Sequence, residues 1–274
     1  MELPIAAESY QPLPEALCRA VKRARSIMAA AVALRTQLDD AVVFTNADRP
    51  KVRLANYAYE VRARADPQPV VDQITAHFEH QGAQCQAWEA DQPQWPQRFA
   101  TYLESLGFVP VTEVVFALQQ YTPPSKFNQE LQIIPARASY SEVRRLYETV
   151  AETELNAAGD LDGTRCLADA MVDRLDEPRF DLFLGRIGGR PVGIAGCVTL
   201  GNIGVIEPAY TDPDFRGRGI AATLIDHTLG HCQRAQFQQV IVQLIQGCYA
   251  IPFYESLGFA AAMSYVRYSS ADGN

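Results

Sequence analysis

Long hydrophobic runs are missing from the start of the chain. The longest there, residues 27–34, holds eight residues, and a helix needs roughly 20 to cross a bilayer. It follows Lys22, Arg23 and Arg25, the arrangement of a signal peptide. However, Leu17, Val21, Ala24, Met28, Ala31, Leu34 and Leu38 continue a helical period on both sides of it. An amphipathic helix is expected, and no membrane partner. An excess of positive charge is missing too: Lys and Arg number 24 against 32 Asp and Glu, a net charge of -8. That excludes a binder of nucleic-acid backbones and suits a soluble enzyme. The six cysteines, Cys18, Cys85, Cys166, Cys197, Cys232 and Cys248, include no Cys-x-x-Cys and no nucleophile signature. They read as reduced thiols of a cytoplasmic protein. Histidine is scarce. His77 and His80, and His227 and His231, each share a helix face without a third ligand at metal spacing, so helix-surface histidines and no metal are expected. No tract is of low complexity, and 48% of the residues are hydrophobic, enough to build a core. At 274 residues there is room for one large domain or two ordinary ones.

The most informative stretch is Tyr210-Thr-Asp-Pro-Asp-Phe-Arg-Gly-Arg-Gly-Ile-Ala221. A strand is expected over residues 203–211, a turn at Asp212 and Pro213, and a helix from about Ile220. Glycine lets backbone N–H groups approach a ligand with no Cβ in the way. A helix N-terminus adds unpaired donors and the positive end of a dipole. Together they suit a phosphate or pyrophosphate. Downstream, residues 239–245 alternate as a strand. Ala250-Ile-Pro-Phe-Tyr-Glu-Ser-Leu-Gly-Phe259 then reads as a short helix capped by Gly258.

Arg216, Gly219 and Ala221 in their spacing, followed by the Phe-Tyr-x-x-Leu-Gly-Phe segment, resemble the GNAT superfamily of acyl-CoA-dependent N-acetyltransferases. The rest of the second half has the matching order. A strand at 132–136 precedes a helix opened by a capping box at Ser139 and Glu142. A polar, acidic loop at 152–163 leads to a helix at 164–175. Strands at 180–187 and 191–200 are joined by a turn at Gly188 and Gly189. The last strand is expected at 263–268.

Leu103-Glu-Ser-Leu-Gly-Phe108 repeats Tyr254-Glu-Ser-Leu-Gly-Phe259. Strands at 57–62, 84–89 and 111–118 and a helix at 70–80 fall where the second half has its counterparts, the pattern of a tandem duplication. The expected fold class is therefore α/β: two tandem GNAT-like domains, each a mixed, largely antiparallel sheet flanked by helices and splayed between strands 4 and 5. Residues 1–120 form a degenerate copy, 121–130 a linker, and 131–274 the catalytic domain. In the first copy Arg64-Ala-Asp-Pro-Gln-Pro69 replaces the glycine loop and Leu103 replaces the tyrosine. It offers no glycine and two prolines without N–H groups, so it is expected to bind no CoA.

What the resemblance implies is acetyl transfer from acetyl-CoA, without a metal, to a primary amine of a small molecule or peptide. Backbone groups of Ala209, Tyr210 and Thr211 would hold the pantetheine. Those of Arg216, Gly217, Arg218, Gly219, Ile220 and Ala221 would take the pyrophosphate. Tyr254 matches the tyrosine that protonates the departing thiolate, against the alternative of an aromatic core residue. Glu207 stands on an otherwise apolar strand. It is either the group that positions or deprotonates the amine, with burial raising its pKa, or a structural carboxylate. Two departures from the superfamily are Gly247, where relatives often have asparagine, and Pro208 within the fourth strand. The alternative function is a non-catalytic acyl-CoA sensor or interaction protein. The acceptor and the oligomeric state are not written in the sequence.

Overall fold

The computed structural model describes residues 14–50, 52–154 and 160–270. The described residues open with α1 (Pro14–Ala30), which buries Leu17, Val21, Ala24 and Met28 as the helical period requires. The period misleads beyond Ala30. Val32 N–H closes a tight last turn on Ala29 O at 3.0 Å. Leu34 then starts β1 (Leu34–Gln37), which pairs with β2 (Val42–Thr45). The hairpin ladder takes the backbone groups that a longer helix would have used, and Leu34 is 61% exposed.

β3 (Tyr57–Val61), α2 (Gln68–His80), β4 (Ala87–Ala90), α3 (Gln97–Ser105) and β5 (Phe108–Leu118) complete the first half. The second half starts with β6 (Gln132–Pro135), α4 (Tyr140–Glu154) and α5 (Leu161–Arg174). Much of the loop expected at 152–163 lies outside the described residues. α5 begins three residues before the expected Thr164, because the Asp160 side chain caps it by accepting from Gly163 N–H at 3.1 Å. β7 (Phe180–Ile187), β8 (Arg190–Leu200), β9 (Ile203–Thr211), α6 (Ile220–Arg234), β10 (Gln239–Ile245), α7 (Ile251–Ser256) and β11 (Phe259–Ser270) follow. Thus β3–α2–β4–α3–β5 has the same order of elements as β9–α6–β10–α7–β11.

The eleven strands of the described residues form one sheet in the order β1-β2-β3-β4-β11-β5-β10-β9-β8-β7-β6. Among the described residues only β3–β4 and β9–β10 pair in parallel. The two halves exchange their closing strands. β11 lies between β4 and β5, with Phe259 opposite Leu118 and Ser270 opposite Phe108. β5 in turn lies against β10, with Ile241 opposite Ala117. Helices cover both faces. α2 and α3 bury Ile74, Phe78, Phe99 and Leu103 on the first half, and α6 and α7 bury Ile220, Leu224 and Tyr254 on the second. On the opposite face α1 packs on both halves. Its Leu17, Val21, Ala24 and Met28 join one core with Val143 and Leu146 of α4, Met171 of α5, Val205 of β9 and Ile241 of β10.

Charge is buried at the seam where the closing strands cross. Arg25 of α1 bonds to Glu89 of β4, to Glu113 of β5 at 2.8 Å and to Gln243 of β10 at 2.6 Å. Arg267 of β11 donates to Glu113 at 3.0 Å. Burial alone would raise the Glu113 carboxyl, but the two guanidinium groups outweigh it and bring its pKa down to about 2.

Candidate active site

The second half opens where its two parallel strands part. β9 and β10 pair from Ile203 opposite Gln239 to Ile206 opposite Val242, and no further. Beyond that point β9 keeps β8 on one side, with Ala209 opposite Ala195, Tyr210 opposite Ile194 and Thr211 opposite Gly193. Its other edge faces the gap. Between Ile206 and Ala209 two residues, Glu207 and Pro208, stand against Gly196 alone, a β-bulge that bends the strand at the start of the splay. The hydroxyl of Thr211 is buried and has no hydrogen-bond partner among the described residues.

At the end of β9 the chain turns through Asp212. Its carboxylate accepts from Asp214 N–H at 3.0 Å and pairs with Arg190 at 3.0 Å. The loop then reaches Gly217 and Gly219, whose φ angles of 73° and 78° suit glycine. The ladder of α6 starts with Thr223 N–H on Gly219 O at 3.0 Å, which leaves the donors of Ile220 and Ala221 outside it. Arg216 and Arg218 are exposed on the loop.

Residues 121–130, expected only as a linker, lie along this loop. Lys126 Nζ donates to Gly217 O at 2.5 Å. Asn128 donates from its backbone to Thr223 Oγ1 at 2.8 Å and from its side chain to Arg218 O at 3.1 Å. The hydroxyl of Tyr121 bonds to Asp226 of α6. A Cβ on Gly219 would stand 3.0 Å from Lys126 O, so this glycine serves the linker contact as well as any ligand. Nothing in the local pattern of a polar, proline-bearing segment announces such a contact.

Tyr254 is buried in one core cluster with Ile206 and Val242, the last paired residues before the splay, and with Ile220, the first residue of α6. Its ring stands edge-on to Phe253 and Phe259. Burial, with Cys248 and Tyr249 adding to it, holds the phenol well above its ordinary pKa, so it stays protonated at neutral pH. Glu207 is half-buried and lies within electrostatic range of Tyr147 on α4. The structure therefore places Tyr254 in one core with the first residue of α6, on the α6 face. It places Glu207 toward α4, on the other face.

The first half has no such opening. β3 and β4 stay paired, through a register shift, from Tyr57 opposite Ala87 to Val61 opposite Ala90. Arg64 is tied to Asp40 at 2.6 Å, and α2 starts from Pro67.

Residues 143–259 match the model of the acetyltransferase (GNAT) family. That stretch of the chain is similar to the GNAT acetyltransferases. The chain is also similar to an uncharacterized N-acetyltransferase of Methanocaldococcus jannaschii, 33% identical over 94 residues, which are 31% of this chain and 40% of that protein. The match thus spans about two fifths of the length of that curated relative. Two solved structures share the fold along most of the chain. A conserved protein of unknown function from Staphylococcus epidermidis superposes with a TM-score of 0.60 at 11% identity, over 86% of this chain and 93% of its own. A GCN5-related N-acetyltransferase from Kribbella flavida gives 0.59 at 14% identity, over 93% of this chain and 95% of its own. Among the described residues no helix is long and apolar enough to cross a membrane, and no group of three His, Cys, Asp or Glu is placed to hold a metal ion.

Proposed function

We propose that this protein is an acetyl-CoA-dependent N-acetyltransferase acting on a primary amine of a small molecule or peptide. In this reading residues 131–274 carry the chemistry, residues 1–120 are a degenerate copy, and the enzyme works in the cytoplasm. The observation that carries it is the parting of β9 from β10 after Ile206 and Val242, with the glycine loop at its open end. The edge of β9 away from β8, at Ala209, Tyr210 and Thr211, can take the amide groups of pantetheine as it would an added strand. The buried hydroxyl of Thr211, without a hydrogen-bond partner among the described residues, supports an occupant with polar groups there. The donors from Arg216 to Ala221 suit the pyrophosphate.

The amine attacks the thioester carbonyl, a C–N bond forms and the C–S bond breaks. Glu207, on the α4 face, takes the proton that the amine must lose. Tyr254, on the α6 face, gives one to the departing sulfur. Acid and base reach the reacting atoms from opposite sides through the gap between the strands. A screen of amines with acetyl-CoA, read as release of free thiol, tests this. Thiol release with at least one primary amine is expected. Tight acetyl-CoA binding without turnover on any amine would favour an acyl-CoA sensor instead.

A further inference from the structure

We infer that Lys126, in the segment joining the two halves, recognises the 3′-phosphate of CoA and makes the site prefer CoA to its 3′-dephospho form. This rests on the CoA reading above. The segment is built onto the loop at several points. Asn128 holds Arg218 O and Thr223 Oγ1, Tyr121 holds Asp226, and Lys126 O lies where a Cβ of Gly219 would be crowded. Its path beside the loop is therefore fixed, while the Lys126 side chain is exposed.

The ammonium group of Lys126 rests on one carbonyl, Gly217 O at 2.5 Å, and no carboxylate is paired with it among the described residues. The loop's other cations are placed differently. Arg216 lies over the Tyr210 ring and donates to Thr211 O. Arg218 lies over the Phe215 ring. Of the nearby carboxylates, Asp212 and Asp214 both face Arg190. CoA brings two kinds of phosphate. The backbone donors of the loop suit the pyrophosphate. A terminal phosphate on the ribose carries close to two negative charges and needs a cation at the rim of the site. Lys126 can trade its carbonyl for that phosphate by rotating a flexible side chain, with no movement of the backbone.

Calorimetric titration of the full chain with CoA and with 3′-dephospho-CoA tests the inference. The wild type should bind CoA about 5- to 10-fold more tightly, a preference that shrinks as salt is raised. Lys126→Ala should lose the preference by weakening CoA alone, and Lys126→Arg should keep it. An equal loss for both ligands in Lys126→Ala would overturn the inference, because Lys126 would then only shape the loop. Equal binding of both ligands by the wild type would overturn it while leaving the CoA reading standing. If the wild type bound neither ligand, the CoA reading would fall and this inference with it.

Discussion

The two halves of this sheet carry the same parallel strand pair, one open and one closed. In the second half β9 and β10 separate after four paired positions, a bulge at Glu207 and Pro208 bends β9, and a glycine loop follows. In the first half β3 and β4 stay together through Val61 and Ala90, and a proline-flanked turn leads into α2. An opening between parallel strands in this sheet is thus a local failure of pairing, made by a few residues. On one face the helices correspond, α2 and α3 covering the first pair as α6 and α7 cover the second.

The largest effect expected from breaking this comparison concerns the two Leu-Gly-Phe caps. Gly258 and Gly107 have φ angles of 95° and 88°. A Cβ on Gly258 would fall 1.7 Å from Gln120 O, whereas nothing lies within 4 Å of one on Gly107. Gly258→Ala should cost about 4 kcal/mol or more, and Gly107→Ala about 1–2 kcal/mol from backbone strain alone, in urea unfolding. Equal costs would mean that the two caps are equivalent.

Tyr254→Phe should lower kcat about 10²-fold, roughly 2.7 kcal/mol of barrier, with little change in acetyl-CoA affinity. Replacing its first-half counterpart, Leu103→Met, should leave kcat unchanged. Glu207→Gln should lose activity at neutral pH and recover part of it at high pH, where the amine deprotonates unaided. A wild-type rate in Tyr254→Phe would remove the phenol from the mechanism, and an unchanged pH profile in Glu207→Gln would make Glu207 structural.

The seam should show in acid. The folded pKa of Glu113, about 2, lies below the ordinary 4.5. Its contribution, on the order of 2–3 kcal/mol, is thus present above pH 4.5 and is lost as pH falls toward 2. Burial raises the Glu89 carboxyl, but Glu89 is common to wild type and variant. The stability gap between wild type and Glu113→Gln should narrow between pH 5 and pH 3. A constant gap would contradict the ion-pair account.

The smallest effect sharpens the site itself. Arg218→Ala should weaken CoA binding about threefold, the worth of one exposed charge. Arg64→Ala, on the corresponding turn of the first half, should leave it unchanged. Any CoA loss in Arg64→Ala would point to a second site.

Much of this was legible in the sequence because it is local. Alternation placed β10, the turn at Gly188 and Gly189 placed β7 and β8, and glycine spacing placed the loop and both caps. Strand exchange was not legible. The inward and outward alternation of residues 108–118 is satisfied equally well beside β4 or beside β10, so it does not name the neighbour. The apolar period through Leu34 and Leu38 fitted a helix by coincidence and yielded to a hairpin ladder. The contact of Lys126 and Asn128 with the loop joins residues about 90 positions apart, beyond any spacing rule.

The exchange of closing strands also has a consequence for synthesis. The place beside β4 is filled by residues 259–270, roughly 170 residues after β4 itself has been made. At about 5–20 residues per second, the growing first half waits on the order of 10–30 s with that edge unpaired. An unpaired edge invites other strands. Segments that emerge in this interval, β6 to β10 among them, must find their own places before one of them takes the place of β11.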